Sequence, residues 1–135
     1  MQKSLFIINF SLFILVAFIA SGCQEPLQER CERECKEFTQ KKCPMPVAAD
    51  ITVDSLTFDK KKLMMTYHYT LTGMLDDAEV LRAKDLRTPL LQALRNSTQD
   101  KLYKDAGYSF RYIYYSAKEK GTQLFSATFR KNDYQ

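Results

Sequence analysis

The stretch from Leu63 to Thr72 constrains the fold more than any other part of the chain. Leu63, Met65, Tyr67, Tyr69 and Leu71 alternate with Met64, Thr66, His68, Thr70 and Thr72, and Gly73 follows. A period of two sends alternate side chains to opposite faces, so this is a strand with one apolar face that needs a cover. Ahead of it, Ile51 and Val53 alternate with polar residues, while Leu56 and Phe58 alternate in the opposite phase. The slip at Asp54-Ser55 predicts a bulge. Asp59-Lys60-Lys61-Lys62 supplies a polar turn, so these two strands read as a hairpin.

From Asp76 to Ser97 the period changes. Leu86, Leu90, Ala93, Leu94 and Ser97 form a helical stripe backed by Leu91. Pro89 lacks an amide hydrogen and suits a first helical turn, which favours a helix restarting near Asp85 or Thr88 over one long kinked helix. Thr88 then serves as its cap. A further turn through Leu102 and Tyr103 closes at Gly107. Two more strands follow. Tyr108, Phe110, Tyr112 and Tyr114 share one face against Ser109, Arg111, Ile113 and Tyr115, and Phe125, Ala127 and Phe129 share a face after the Lys118–Gly121 turn. The order β-β-α-β-β predicts an α+β fold: an antiparallel sheet with a helix packed on one face, preceded by a short amphipathic helix.

That preceding helix lies in a charged segment, Gln24 to Lys42. Leu27, Cys31, Cys35 and Phe38 fall on one helical face, and Glu29 with Arg33 and Glu32 with Lys36 stand at supporting i,i+4 spacing. The spacing predicts a helix over about Leu27 to Gln40, then a stiff Cys43-Pro44-Met45-Pro46 joint.

The start of the chain has a different character. Lys3 is the single charge before an apolar run from Leu5 to Ile19, and Ala20, Ser21 and Gly22 lead into Cys23. This order of charge, apolar run and small residues reads as a secretory signal peptide. Its helix would span roughly 22 Å, short of a bilayer core of about 30 Å. Extended to Gly22, the run approaches spanning length, which leaves an uncleaved anchor open, as does an ordinary cleaved signal.

Small residues directly followed by cysteine resemble the lipobox of bacterial lipoproteins. The resemblance implies that Ala20, Ser21 and Gly22 fill the three lipobox positions, the first more often Leu, Val or Ile, and that Cys23 is lipidated after cleavage before it. Together with the patterns read above, the chain then divides into three expected regions: a signal peptide over 1–22, a lipid-anchored charged neck with cysteines over 23–50, and an α+β globular domain over 51–135. Gln24, not Asp, follows the cysteine, so similarity to sorted lipoproteins implies the outer membrane facing the periplasm in a host with two membranes. In a host with one membrane, the body would lie outside it.

The mature chain of about 113 residues has room for one hydrophobic core. Lys3 is the one charge in the removed segment, which leaves +3 of the +4 net charge. That evenly mixed balance does not read as a nucleic-acid surface, and the mean hydropathy of −0.36 suits a soluble body behind a greasy leader. With Cys23 lipidated, Cys31, Cys35 and Cys43 remain as disulfide candidates. An odd count leaves one thiol over, free or bonded to a second copy in a disulfide-linked dimer. Cys35–Cys43 could close if the chain folds back at the prolines, whereas Cys31–Cys35 within one helix is strained. The spacing without a second ligand type does not indicate a metal site.

No nucleophile elbow, P-loop, dinucleotide fingerprint or metalloprotease motif occurs. His68, the lone histidine, has no signalled catalytic partners, and Asp76-Asp77 reads as helix caps. No cofactor or catalytic residue is expected. Core packing claims the Tyr108, Phe110, Tyr112, Tyr114 face, which leaves His68, Arg111, Ile113 and Tyr115 on the opposite face as the candidate interaction surface, with an unpaired strand edge as a second. The expectation is a non-catalytic envelope lipoprotein acting as a protein-binding or assembly module with an envelope protein partner. Alternatives are an inhibitor, immunity or exclusion lipoprotein, and a small-ligand or cell-wall binder.

Overall fold

The computed structural model describes residues 24–135; the expected signal peptide over 1–22 and the expected lipid acceptor Cys23 lie outside the described residues. The architecture is α+β. A helix α1 (Leu27–Lys42) precedes strands β1 (Met45–Ala48), β2 (Ile51–Asp59) and β3 (Met64–Leu71). A 3-10 turn (Gly73–Leu75) and helices α2 (Ala78–Arg82), α3 (Arg87–Asn96) and α4 (Lys101–Asp105) lead to β4 (Ser109–Ser116), β5 (Gln123–Phe129) and a last helical turn, α5 (Lys131–Tyr134).

The strands form one sheet in the order β1-β2-β3-β4-β5. Both expected hairpins are present, and the β2 register slips between Val53 and Ser55. Two features depart from the expected sheet. The Pro-rich joint pairs as an edge strand, Met45 opposite Val53. The central pair is parallel, with Met64 opposite Ser109 and Leu71 opposite Ser116, so the sheet is mixed rather than antiparallel. The cause is the connection between them: its helices carry the chain back along the sheet before β4 starts, as a parallel pair requires.

Alternation then decides the core. Met65, Tyr67, Tyr69 and Leu71 of β3, Phe110, Tyr112 and Tyr114 of β4 and Phe125, Ala127 and Phe129 of β5 share the covered face, where Phe110 and Phe129 have no exposed surface. Leu90, Leu91 and Leu94 of α3 pack onto it. The helical restart is as expected from Pro89, but an amide of its first turn is held by the Asp85 side chain, 3.2 Å from the Thr88 nitrogen, rather than by Thr88. Asp77 caps α2 through the amides of Glu79 and Val80. Its neighbour Asp76 accepts the Lys118 amide at 2.8 Å and so ties this connection to the β4–β5 turn.

The charged segment is not a neck outside the domain. Cys31 and Cys35 are buried in the main core, and α1 runs to Lys42, two residues past the expected end. Glu32 pairs with Lys36 as expected and also with Lys60 at 2.6 Å, while Arg33 chooses Glu25 and Glu37 over Glu29. Tyr103 donates to Glu34 at 2.5 Å, which ties α1 to α4. Burial pushes the Glu34 carboxyl up, and the hydrogen bonds of Tyr103 and Arg30 outweigh it, leaving a net lowering.

Candidate functional site

A cavity of about 240 Å³ opens at one end of the covered face. Ile51, Leu71 and Tyr114 form its floor on three adjacent strands, and Leu75, Leu81, Leu86, Pro89 and Leu90 form its walls from the β3–β4 connection. No charged side chain lines it. The one polar tip is the Tyr114 phenol, whose pKa burial pushes up to about 12, so it stays neutral. The part of the connection over the pocket is a 3-10 turn and the helices α2 and α3 rather than one continuous helix. Leu75, Leu81 and Leu86 each reach the sheet from a different piece, and the gap between pieces is left open.

An exposed apolar side chain adjoins the lining residue Leu75. Met74, beside Leu75 on the 3-10 turn, is 83% exposed. The turn is fixed by Gly73, whose φ of +57° suits glycine and whose Cα faces the Asp50 carboxylate 2.8 Å from where a Cβ would stand. Asp50 in turn accepts the Thr72 amide on its carbonyl at 3.0 Å and the Thr72 hydroxyl on its carboxylate at 3.1 Å.

The pocket stands at the far end of the sheet from the chain's entry. The Glu32–Lys60 pair fixes the first half of α1 beside the β2–β3 turn, and Thr39 meets β2 at Leu56. Ile51 and Leu71 lie at the opposite strand ends, about 26 Å from that turn at ~3.3 Å per residue. Residues preceding α1 therefore join the domain at the end away from the pocket.

His68, Arg111, Ile113 and Tyr115 do come together on the other sheet face, as the β3–β4 register places them. His68 Nε2 lies 3.0 Å from Thr57 Oγ1, its Nδ1 lies 3.4 Å from the Tyr115 hydroxyl, and the two rings stack. Burial first, then the Arg111 charge, holds the imidazole below its ordinary value of 6.5 against the pull of Asp54. Ile113 differs from the other three: its neighbours on the sheet leave it 5% exposed, so it is a floor rather than a contact.

Both sheet edges are guarded. β1 has four residues and carries Pro46, which offers no amide hydrogen. On β5 the Arg87 guanidinium donates to the Thr128 carbonyl at 3.4 Å and lies 4.6 Å over the Phe129 ring. Among the described residues Cys31, Cys35 and Cys43 are free thiols. A Cys35–Cys43 bond does not form, because α1 continues to Lys42 and separates the two by about 12 Å along its axis, beyond disulfide reach. Among the described residues no group of histidine, cysteine and acidic side chains is placed to hold a metal ion, and no helix is long and apolar enough to cross a membrane.

Residues 26–125 match the family described as a domain of unknown function, DUF8479. The chain belongs to this family. Among curated proteins, none matches this DUF8479 chain. Solved structures share its fold. A presumed secreted protein of Pseudomonas aeruginosa (PA3611) superposes with a TM-score of 0.68 at 17% identity, covering 81% of this chain and 93% of that one. The pilotin EpsS of the Vibrio vulnificus type 2 secretion system gives 0.56 at 10% identity, over 81% and 92% of the two chains. The type II secretion system pilotin AspS of Vibrio cholerae gives 0.55 at 11% identity, over 79% and 91%. The sequence alone did not reveal the pocket, since its walls come from irregularly spaced leucines over 75–90 that read as ordinary helix core.

Proposed function

We propose that this DUF8479 protein is a non-catalytic lipoprotein of the cell envelope, anchored through Cys23, whose apolar pocket receives an apolar segment of a protein partner during assembly of an envelope machine. The observation that carries this reading is the pocket itself: eight apolar or aromatic lining residues, no charge, and an exposed methionine on the rim. Wet apolar surface of this kind is a recognition feature rather than a packing one. Its position adds support. An anchor at Cys23 holds the first half of α1 towards the bilayer and turns the pocket away from it, towards soluble or assembling proteins. The fold shared with two type II secretion pilotins supports an assembly role for an envelope partner, in the outer membrane of a host with two membranes.

The test is photocrosslinking in native envelopes, with a photoreactive amino acid replacing Met74 in the full-length protein. One stoichiometric protein adduct, lost when Leu86→Trp fills the cavity, supports the reading. Adducts to lipid alone would assign the pocket to an acyl chain and overturn it.

A further inference from the structure

Four tyrosines stand in two rows on the covered face beside the pocket. Tyr67 of β3 lies opposite Tyr112 of β4, and Tyr69 lies opposite Tyr114. Their ring centroids are 5.3 Å apart in the first pair and 4.7 Å in the second, with Tyr67 and Tyr69 6.3 Å apart, and each pair is within 17° of parallel. Tyr67 donates to the Asp100 carboxylate at 3.1 Å. The hydroxyls of Tyr69, Tyr112 and Tyr114 have no such partner among the described residues. Yet no enclosed side-chain oxygen of the described residues goes without a hydrogen bond, so these three tips reach a surface. That holds even for Tyr112, which as a whole is 7% exposed.

A phenol both donates and accepts, and the apolar core around these three uses neither capacity. Burial first, then Tyr114 and Asp100, pushes the Tyr69 phenol up; burial, then Asp100, Tyr69 and Tyr114, does the same for Tyr112. The array therefore stays neutral and offers hydrogen bonds without charge. The nearby Asp100 carboxylate opposes an anion. Its two oxygens are engaged by the Tyr67 and Ser97 hydroxyls, so it is not aimed at a cation. An amide fits such a place, because it carries acceptor and donor on separate atoms. Its carbonyl accepts from one phenol while its N–H donates to the next. Tyr114 belongs both to this array and to the pocket lining, so a chain seated in the pocket brings its neighbouring group to the phenols.

We infer that the Tyr69, Tyr112 and Tyr114 hydroxyls form a polar subsite beside the pocket, which takes the side-chain amide of an asparagine or glutamine adjoining the apolar residue that the pocket receives. This rests on the pocket reading and adds the chemistry that selects the segment. The full-length protein in phosphatidylcholine nanodiscs, followed by NMR at the Leu71, Leu86 and Leu90 methyls, tests it. The probes are hexanamide, hexanol, hexanoate and hexylamine at matched free concentrations, which share a six-carbon tail and differ in the head group.

The expected result is a saturable shift that is tightest with hexanamide and absent for all four probes in Leu86→Trp, which fills the pocket. Tyr69→Phe and Tyr112→Phe keep the rings and lie outside the pocket lining. Each should weaken hexanamide about fivefold, the worth of one hydrogen bond, and leave hexanol unchanged, which shows that the pocket itself is intact. Equal or tighter binding of hexanol, hexanoate or hexylamine, hexanamide binding unmoved by either Phe variant, or no shift with any probe would overturn the inference. Failure of the pocket reading looks different: the Met74 photoprobe then crosslinks to lipid alone, whatever head group the phenols prefer.

Discussion

Thr39 and Leu56 are joined twice: the Thr39 hydroxyl donates to the Leu56 carbonyl at 3.0 Å and accepts from the Leu56 amide at 2.9 Å. β1 pairs with β2 only as far as Val53, so beyond that point one edge of β2 would be bare. One side chain of α1 takes the place of the missing strand. This is how a charged helix becomes part of the domain: two buried cysteines fix its face and one threonine fixes its height.

Replacing Thr39 by Val keeps the shape and removes both hydrogen bonds, leaving a part-buried donor and acceptor without partners. The expected loss is about 1–3 kcal/mol in urea unfolding. Thr39→Ser keeps the hydroxyl and should stay within about 0.5 kcal/mol of the parent. Equal losses in the two variants would assign the effect to packing instead.

Gly73 sets the pocket rim. An added Cβ would meet the Asp50 carboxylate and force a left-handed residue that L side chains disfavour by about 1–2 kcal/mol. Gly73→Ala should destabilise by at least that amount and displace the turn bearing Met74 and Leu75. The checks are thermal unfolding and the yield of the Met74 photoadduct, both of which should fall. An exposed change such as Met74→Asp should lower the photoadduct of a neighbouring probe at Leu75 while leaving unfolding within about 0.5 kcal/mol.

The thiols should separate by reactivity. The Cys31 thiol is pushed up, mainly by its hydrogen bond with Cys35 and then by burial, and Cys43 is raised by burial and the nearby Asp54 charge. Cys43 is half-buried, whereas Cys31 and Cys35 are 0% and 2% exposed. Alkylation read out by peptide mass should label Cys43 first and reach Cys31 and Cys35 only at the rate of opening of the domain. Comparable labelling of all three in the folded protein would contradict the packing of α1.

The strands and their faces were legible because alternation reports the two sides of a strand directly. Met65, Tyr67, Phe110, Tyr112 and Phe129 lie where the period of two put them, and the Asp54-Ser55 slip is a real register shift. Pairing across the long connection was not legible. Nothing in the residues of β3 and β4 states their relative direction; that depends on where the 73–108 connection delivers the chain. β1 was hidden by Pro44 and Pro46, which mark a joint and also mark a protected edge strand. The charge of residues 25–42 concealed a core helix because only Cys31 and Cys35 point fully inward. Ile113 was expected as surface from its face alone, but it is 5% exposed, and alternation carries no information about neighbours on the same face.

His68 reports whether Arg111 is felt across the open face. The groups facing the ring are Thr57 Oγ1, the Tyr115 hydroxyl and, through charge, Arg111 and Asp54. Since burial and Arg111 lower its folded value, the fold favours the neutral imidazole. The unfolded chain then takes up the proton first as the pH drops below about 6.5, so this contribution to stability is full above that value and declines as the pH falls towards the folded pKa. An NMR titration should place His68 below 6.5, and Arg111→Gln should move it upward, with Arg111→Lys close to the parent. Should Arg111→Gln leave the titration unmoved, the guanidinium is screened from the ring.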